Sequence, residues 1–201
     1  MGYTATEING SPVYASLQDL KAFMGVSDLT FSADETAIME NSIEVASRSI
    51  EKDTNRFFHQ IDDTSYKFTG NRAKTLPIYD FRTITGVIVD GMTYTEGVDY
   101  EVYQGTPTNQ ATYLLFHLGS GWFSDFQGIQ ISGDWGWQSV PMEIHFACLN
   151  RARFHLAYRG QNPALASLAM GDMRVQLADA DAIRKRELLQ IRQYIKPTGV
   201  L

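Results

Sequence analysis

The stretch Gly133-Asp134-Trp135-Gly136-Trp137-Gln138-Ser139-Val140-Pro141-Met142-Glu143-Ile144 constrains the fold more than any other, because a strand pattern stops in it and a helix pattern starts. From about Ser65 up to this stretch, apolar residues alternate or cluster in short runs. Beyond it they recur at helical spacing, as they also do between Ala33 and Phe57. Pro141 suits the first turn of a helix, where its missing N–H has no intrahelical partner and its ring presets φ. The chain therefore reads as α+β: a helical bundle body, an inserted antiparallel β segment of about six short strands, and a C-terminal helical tail. The expected boundaries are 1–63 for an N-terminal arm and body helices and 64–139 for the β insertion. Residues 140–173 supply the return helix and a linker, and 174–201 a basic C-terminal helix. Trp135, Trp137 and Pro141 are expected to act as a packed hinge between insertion and body.

The helices carry start and stop signals. Asn9-Gly10-Ser11-Pro12 is a turn-forming cluster without periodicity, so the first 15 residues are expected to be an extended arm or loop. Ser16 can cap a short helix that places Leu17, Leu20, Phe23 and Met24 on one face and ends at Gly25. Ser32 with Glu35 is a capping-box pattern opening the longest helix. Its buried stripe is expected to be Ile43, Ala46, Ile50 and Phe57, widened by Ile38 and Val45, and it should end near Asn55. After Pro141, Ile144, Cys148, Ala152 and Leu156 share a face, and Gly160 marks a stop. Small residues fill 161–173. A last helix from about Leu177 to Ile195 aligns Ala180, Ile183, Glu187, Ile191 and Tyr194, with Pro197 as its stop. Because the linker sets this helix apart, deleting 174–201 is expected to leave the body folded.

Within the β segment, Tyr66 and Phe68 alternate with polar neighbours, and Pro77 favours an edge position. Asp90-Gly91 between two apolar runs predicts a hairpin with a type I′ turn. Val98, Tyr100 and Val102 alternate, Tyr113 to Leu118 is an apolar run, and Ile129 and Ile131 alternate again.

Chemistry is sparse in this pattern. The single cysteine, Cys148, excludes an intramolecular disulfide and a multi-cysteine zinc site, and sits among apolar neighbours as a small core residue would. The four histidines, His59, His117, His145 and His155, show no metal-binding spacing. Asp62-Asp63 reads as a solvated loop. No phosphate-binding glycine loop and no nucleophile elbow occurs. No catalytic residue, metal or cofactor is therefore expected, and no membrane span or export signal. Trp122, Phe123 and Phe126 lie in a glycine-flanked loop and are candidates for an interface.

Charge is distributed unevenly. Residues 1–63 carry four basic and eleven acidic residues, and 174–201 carry six basic and three acidic. An acidic beginning and a basic end suit a protein that meets copies of itself or a partner of opposite sign.

Several segments together resemble the head-to-tail connector (adaptor, or head completion) proteins of long-tailed bacteriophages and phage-like particles. Leu17-Gln18-Asp19-Leu20-Lys21-Ala22-Phe23-Met24-Gly25-Val26 is similar to the family's opening helix. Ala46 to Phe58 resembles its helix ending in threonine, glycine, arginine, any residue, phenylalanine, with Asn55 in the glycine position. Asp99-Tyr100 and Gly133-Asp134-Trp135-Gly136, followed by Val140-Pro141, resemble its β insertion and return. The resemblance implies a structural virion protein at the head-tail junction. It would form a homo-oligomeric ring, commonly a dodecamer, that binds the portal protein on one side and a tail-side connector or tail protein on the other. DNA would pass through the channel during ejection without specific binding, for which the acidic first third is suited. Arg184, Lys185, Arg186, Arg192 and Lys196 become candidate portal contacts. Two other readings stay open from the residues: a non-catalytic module binding a saccharide or peptide through Trp122, Trp135 or Trp137, and a hydrolase near His145, Cys148 and His155.

Overall fold

The computed structural model describes residues 2–106, 109–116, 118, 121, 122, 126–159 and 180–196. Its helices and antiparallel sheets make it α+β. The chain divides into two compact units: a helical unit of Met1–Thr54 and Ser139–Ile195, and a β unit of Asn55–Gln138 together with Lys196.

The helical unit opens on a hairpin rather than an extended arm. β1 (Thr6–Ile8) pairs with β2 (Ser11–Val13), and Asn9 and Gly10 close the turn with φ of 52° and 76°. Asn-Gly is a strong hairpin signal, but strands of three residues are too short to show alternation. α1 (Leu17–Phe23) starts with a complete capping box. The Asp19 N–H donates to Ser16 Oγ at 3.0 Å, and the Ser16 N–H donates to Asp19 Oδ2 at 2.9 Å. α2 (Ala33–Thr54) is opened in the same way by Ser32 and Glu35. Its buried stripe is Met39, Ile43, Ala46 and Ile50. Val45, expected to widen that stripe, is exposed instead, because two residues from Ile43 turn the helix by roughly 200°. Phe57 falls beyond the helix end, since Asn55 adopts φ 53° and stops it.

α3 (Met142–Arg159) buries Ile144, Cys148, Ala152 and Leu156 as its spacing requires. Pro141 sits one position before the helix, and its carbonyl accepts the His145 N–H at 3.0 Å. α2 and α3 meet through a small polar seam. Ser47 Oγ lies 3.4 Å from Cys148 Sγ, donates to the Ile43 carbonyl at 2.9 Å and accepts the Tyr14 N–H at 3.2 Å.

The C-terminal helix is not a separable tail. In α4 (Ala180–Ile191) and the 3₁₀ turn Arg192–Tyr194, Ile191 and Tyr194 are buried. Arg151 of α3 joins three helices: its Nε donates to Glu187, and its Nη1 lies 2.8 Å from Asp53 and donates to Ser49 Oγ at 2.7 Å. Small residues before α4 say nothing about where its apolar side lands, so these contacts are not legible in the local pattern.

The β unit holds seven strands among the described residues, beginning at Gln60 rather than Ser65. One antiparallel sheet has the order β3 (Gln60–Phe68), β9 (Ile129–Gly136), β5 (Phe81–Val89), β6 (Met92–Tyr94). The other has the order β4 (Thr75–Pro77), β8 (Asn109–Phe116), β7 (Tyr100–Thr106), which puts Pro77 on an edge. Asp90 and Gly91, at φ 48° and 85°, close the β5–β6 hairpin as the dipeptide predicts. β9 is central, and its Ile129, Ile131 and Trp135 enter a core that also draws Leu76, Tyr100 and Leu114 from the second sheet. Gly136 has to be glycine: φ is 78°, and an added Cβ would run into the His59 carbonyl oxygen.

Because Ile191 is fully buried, Ile191→Ala is expected to cost about 2–5 kcal/mol in urea unfolding. A change within experimental error would mean that α4 contributes no core after all.

Candidate functional site

Cys148, His145 and the carboxylates of Asp62 and Asp134 are engaged in holding the fold. His145 is buried, its Nδ1 lies 2.8 Å from the Tyr14 carbonyl, and its ring stacks on Tyr3 at 3.7 Å. Burial pushes the Cys148 thiol up to about 11, against a smaller opposing effect of the Ser47 hydrogen bond. It is a neutral thiol at physiological pH, not an attacking thiolate. Asp62 pairs with Arg82, and Asp134 Oδ1 accepts the Asp63 N–H at 3.0 Å. Among the described residues no three metal-binding side chains converge, and no helix is long and apolar enough to cross a membrane. His117 lies outside the described residues.

The three tryptophans point inward. Trp135 is fully buried with Nε1 donating to the Thr64 carbonyl at 2.7 Å, and the Tyr66 ring meets it edge-on at 5.0 Å. Trp122, a candidate interface anchor from its loop context, is also fully buried. Its Nε1 donates to the Leu114 carbonyl at 3.1 Å, and Phe116 packs edge-on at 4.9 Å. A tryptophan whose face and N–H are both occupied has nothing left for a saccharide or peptide. Phe126 is 82% exposed, and Phe123 lies outside the described residues. Tyr79 is another exposed ring, and it leans on Phe57, Tyr66 and Phe68.

Trp137 belongs to a buried charge cluster in the β unit. Asp80 accepts Arg56 Nη1 on Oδ1 at 2.7 Å and Trp137 Nε1 on Oδ2 at 2.8 Å. Lys196 Nζ lies 3.8 Å from Oδ1 and donates to the Ile78 carbonyl. Arg56, Trp137 and Lys196 stand beside the three points where the chain passes between units, at 54/55, 138/139 and 195/196. One carboxylate thus gathers three distant residues inside the β unit. Burial holds the Lys196 ammonium below its usual pKa; Asp80 opposes this and Arg56 reinforces it.

Of the candidate portal contacts, Lys185 and Arg192 are exposed, Lys196 is committed to Ile78 and Asp80, and the side chains of Arg184 and Arg186 lie outside the described residues. Between α3 and α4 runs a groove of about 590 Å³ lined by Met142, Glu143, Phe146, Asn150, Leu189, Gln190 and Gln193. Tyr194 donates to Glu143 at 3.0 Å beside it, and burial followed by this bond raises the Tyr194 pKa.

Asp80→Asn keeps an acceptor for Trp137 but leaves two buried cations facing a neutral amide. It is expected to cost about 3–5 kcal/mol in urea unfolding at pH 7. The Lys196 pKa is already depressed, so its folded form binds fewer protons than the unfolded chain between the depressed value and the ordinary lysine value of 10.5, and stability from this group rises with pH there. Removing the Asp80 charge depresses the pKa further, so in Asp80→Asn this rise should begin at lower pH than in the parent. For Cys148, thiol reagents at pH 8 are expected to leave the native protein unmodified and to label it in denaturant; rapid native labelling would revive a nucleophilic role.

No known protein family matches the sequence, and no curated protein does. Solved structures with similarity include a chain of the neck of an empty gene transfer agent particle, at 17% identity over 84% of this chain and 93% of that one, with a TM-score of 0.47. A chain from the virion of a native gene transfer agent particle is 18% identical over 75% and 86% of the two chains, TM-score 0.43. A third, from the neck of a native particle, is 16% identical over 84% and 92%, TM-score 0.42.

Proposed function

We propose that this chain is a structural connector at the head-tail junction of a phage or phage-like particle. It forms a ring between portal and tail that lets DNA pass, and performs no catalysis. The observation that supports this most directly is the end of α2, where the connector-like segment Thr54-Asn55-Arg56-Phe57-Phe58 has a structural task at nearly every position. Thr54 Oγ1 donates back to the Ile50 carbonyl at 2.8 Å, and Asn55 takes the left-handed conformation for which glycine is suited. Arg56 enters the Asp80 cluster, and Phe58 is buried 5.4 Å from the Trp137 ring. A motif spent on passing the chain from one unit to another suits a part whose task is geometry rather than chemistry.

In this reading the exposed cations Lys185 of α4 and Arg192 of the turn after it face the portal, and the acidic α2 region lowers the affinity of the ring for DNA phosphates. The experiment is to mix the purified full-length chain with its portal and examine it by negative-stain microscopy and sedimentation. Rings seated on the portal are expected. Lys185→Glu with Arg192→Glu should weaken that binding by roughly tenfold at low salt and leave the melting temperature unchanged, because both side chains are solvated. A chain that neither oligomerises nor binds portal is not a connector.

A further inference from the structure

We infer that the outer face of α3 and α4 docks onto the outer face of α2 in a second copy of this chain. On the side of α3 turned away from α2, Met142, Phe146 and Phe154 are 49%, 40% and 38% exposed, and Leu189 of α4 is 65% exposed. Spaced at i, i+4 and i+12, the α3 side chains fall on one helical face, and Met142 and Phe146 edge the groove between α3 and α4 with Leu189. Large apolar side chains grouped on a surface mark a contact rather than a solvated face.

Charge and size select the occupant. Exposed Lys185 on α4 and Arg192 in the 3₁₀ turn after it stand beside the band. The outer face of α2 offers Ala37, Asn41 and Val45, small enough to admit aromatic rings, bordered by the carboxylates of Asp34, Glu40 and Glu44. Of the cations of α2, Arg48 is held by the Pro12 carbonyl and Glu51, and Lys52 lies in the last turn. Within one chain the two faces cannot meet. α2 and α3 are joined through Ser47 and Cys148, and the exposed residues lie on the opposite side of each helix. The pairing is therefore intermolecular and heterologous, each copy offering α3 and α4 to one neighbour and α2 to the other. It rests on the connector reading and supplies that ring with its contact between subunits.

Full-length protein carrying Asn41→Cys and Asn150→Cys is expected to give a ladder of intermolecular disulfides on oxidation, whereas either single variant gives none. Phe146→Glu with Leu189→Glu, both at exposed sites, should weaken self-association by roughly tenfold or more in sedimentation with an unchanged circular dichroism spectrum. Single variants that form crosslinked dimers indicate an isologous contact and overturn the inference. If the parent assembles and the glutamate variant assembles equally well, the face assignment fails and the connector reading stands. If the parent stays monomeric both alone and with portal, both fail.

Discussion

Burying the Asp80 carboxylate among Arg56, Lys196 and the Trp137 indole is the constraint on which the β unit depends. Two charges taken out of water recover their solvation only if their geometry and remaining hydrogen bonds are good. Here Asp80 spends one oxygen on the Arg56 guanidinium and the other on the indole, while the lysine adds its own bond to the Ile78 carbonyl. A hydrophobic replacement could fill the space, but it would not specify which three chain segments come together. The cluster holds Arg56, Trp137 and Lys196 together on one carboxylate within the β unit.

The helical unit solves a similar problem with neutral groups. Ser47, the Tyr14 backbone, Cys148 and the His145 ring satisfy one another across α2, α3 and the segment after β2. Arg151 then draws α4 onto the pair through Glu187 and Asp53. Residues that suggest chemistry in a one-dimensional reading, a cysteine three positions from a histidine, are polar connections in a helical core. The surface left over is therefore where function has to be sought. It consists of an apolar band edged by cations and a small-residue face edged by carboxylates, surfaces suited to association.

How much was legible follows from the range of each interaction. Capping boxes at Ser16 and Ser32, the turn at Asp90-Gly91, the left-handed stop at Asn55 and the inward stripe of α3 rest on neighbours within a few residues, and the structure has them where the pattern puts them. The β1–β2 hairpin carried its turn signal but no strand long enough to alternate. Val45 and Trp122 were misplaced for another reason. Hydrophobicity identifies residues able to be buried, while the packing of other segments decides which of them are. Tyr79 shows the converse, an apolar ring left exposed although its neighbours Ile78 and Asp80 are buried.

The sequence by itself determined the order of helices, strands and helices, their caps and turns, and the place where one pattern yields to the other, because propensity, capping and periodicity act within a turn or two of chain. Only the tertiary structure decided that Trp135 and Trp137 are core and clasp, that the last helix belongs to the body, and that Asp80 binds residues 24 and 57 positions away. Those outcomes depend on which distant segments exclude water together, and no local pattern encodes that choice.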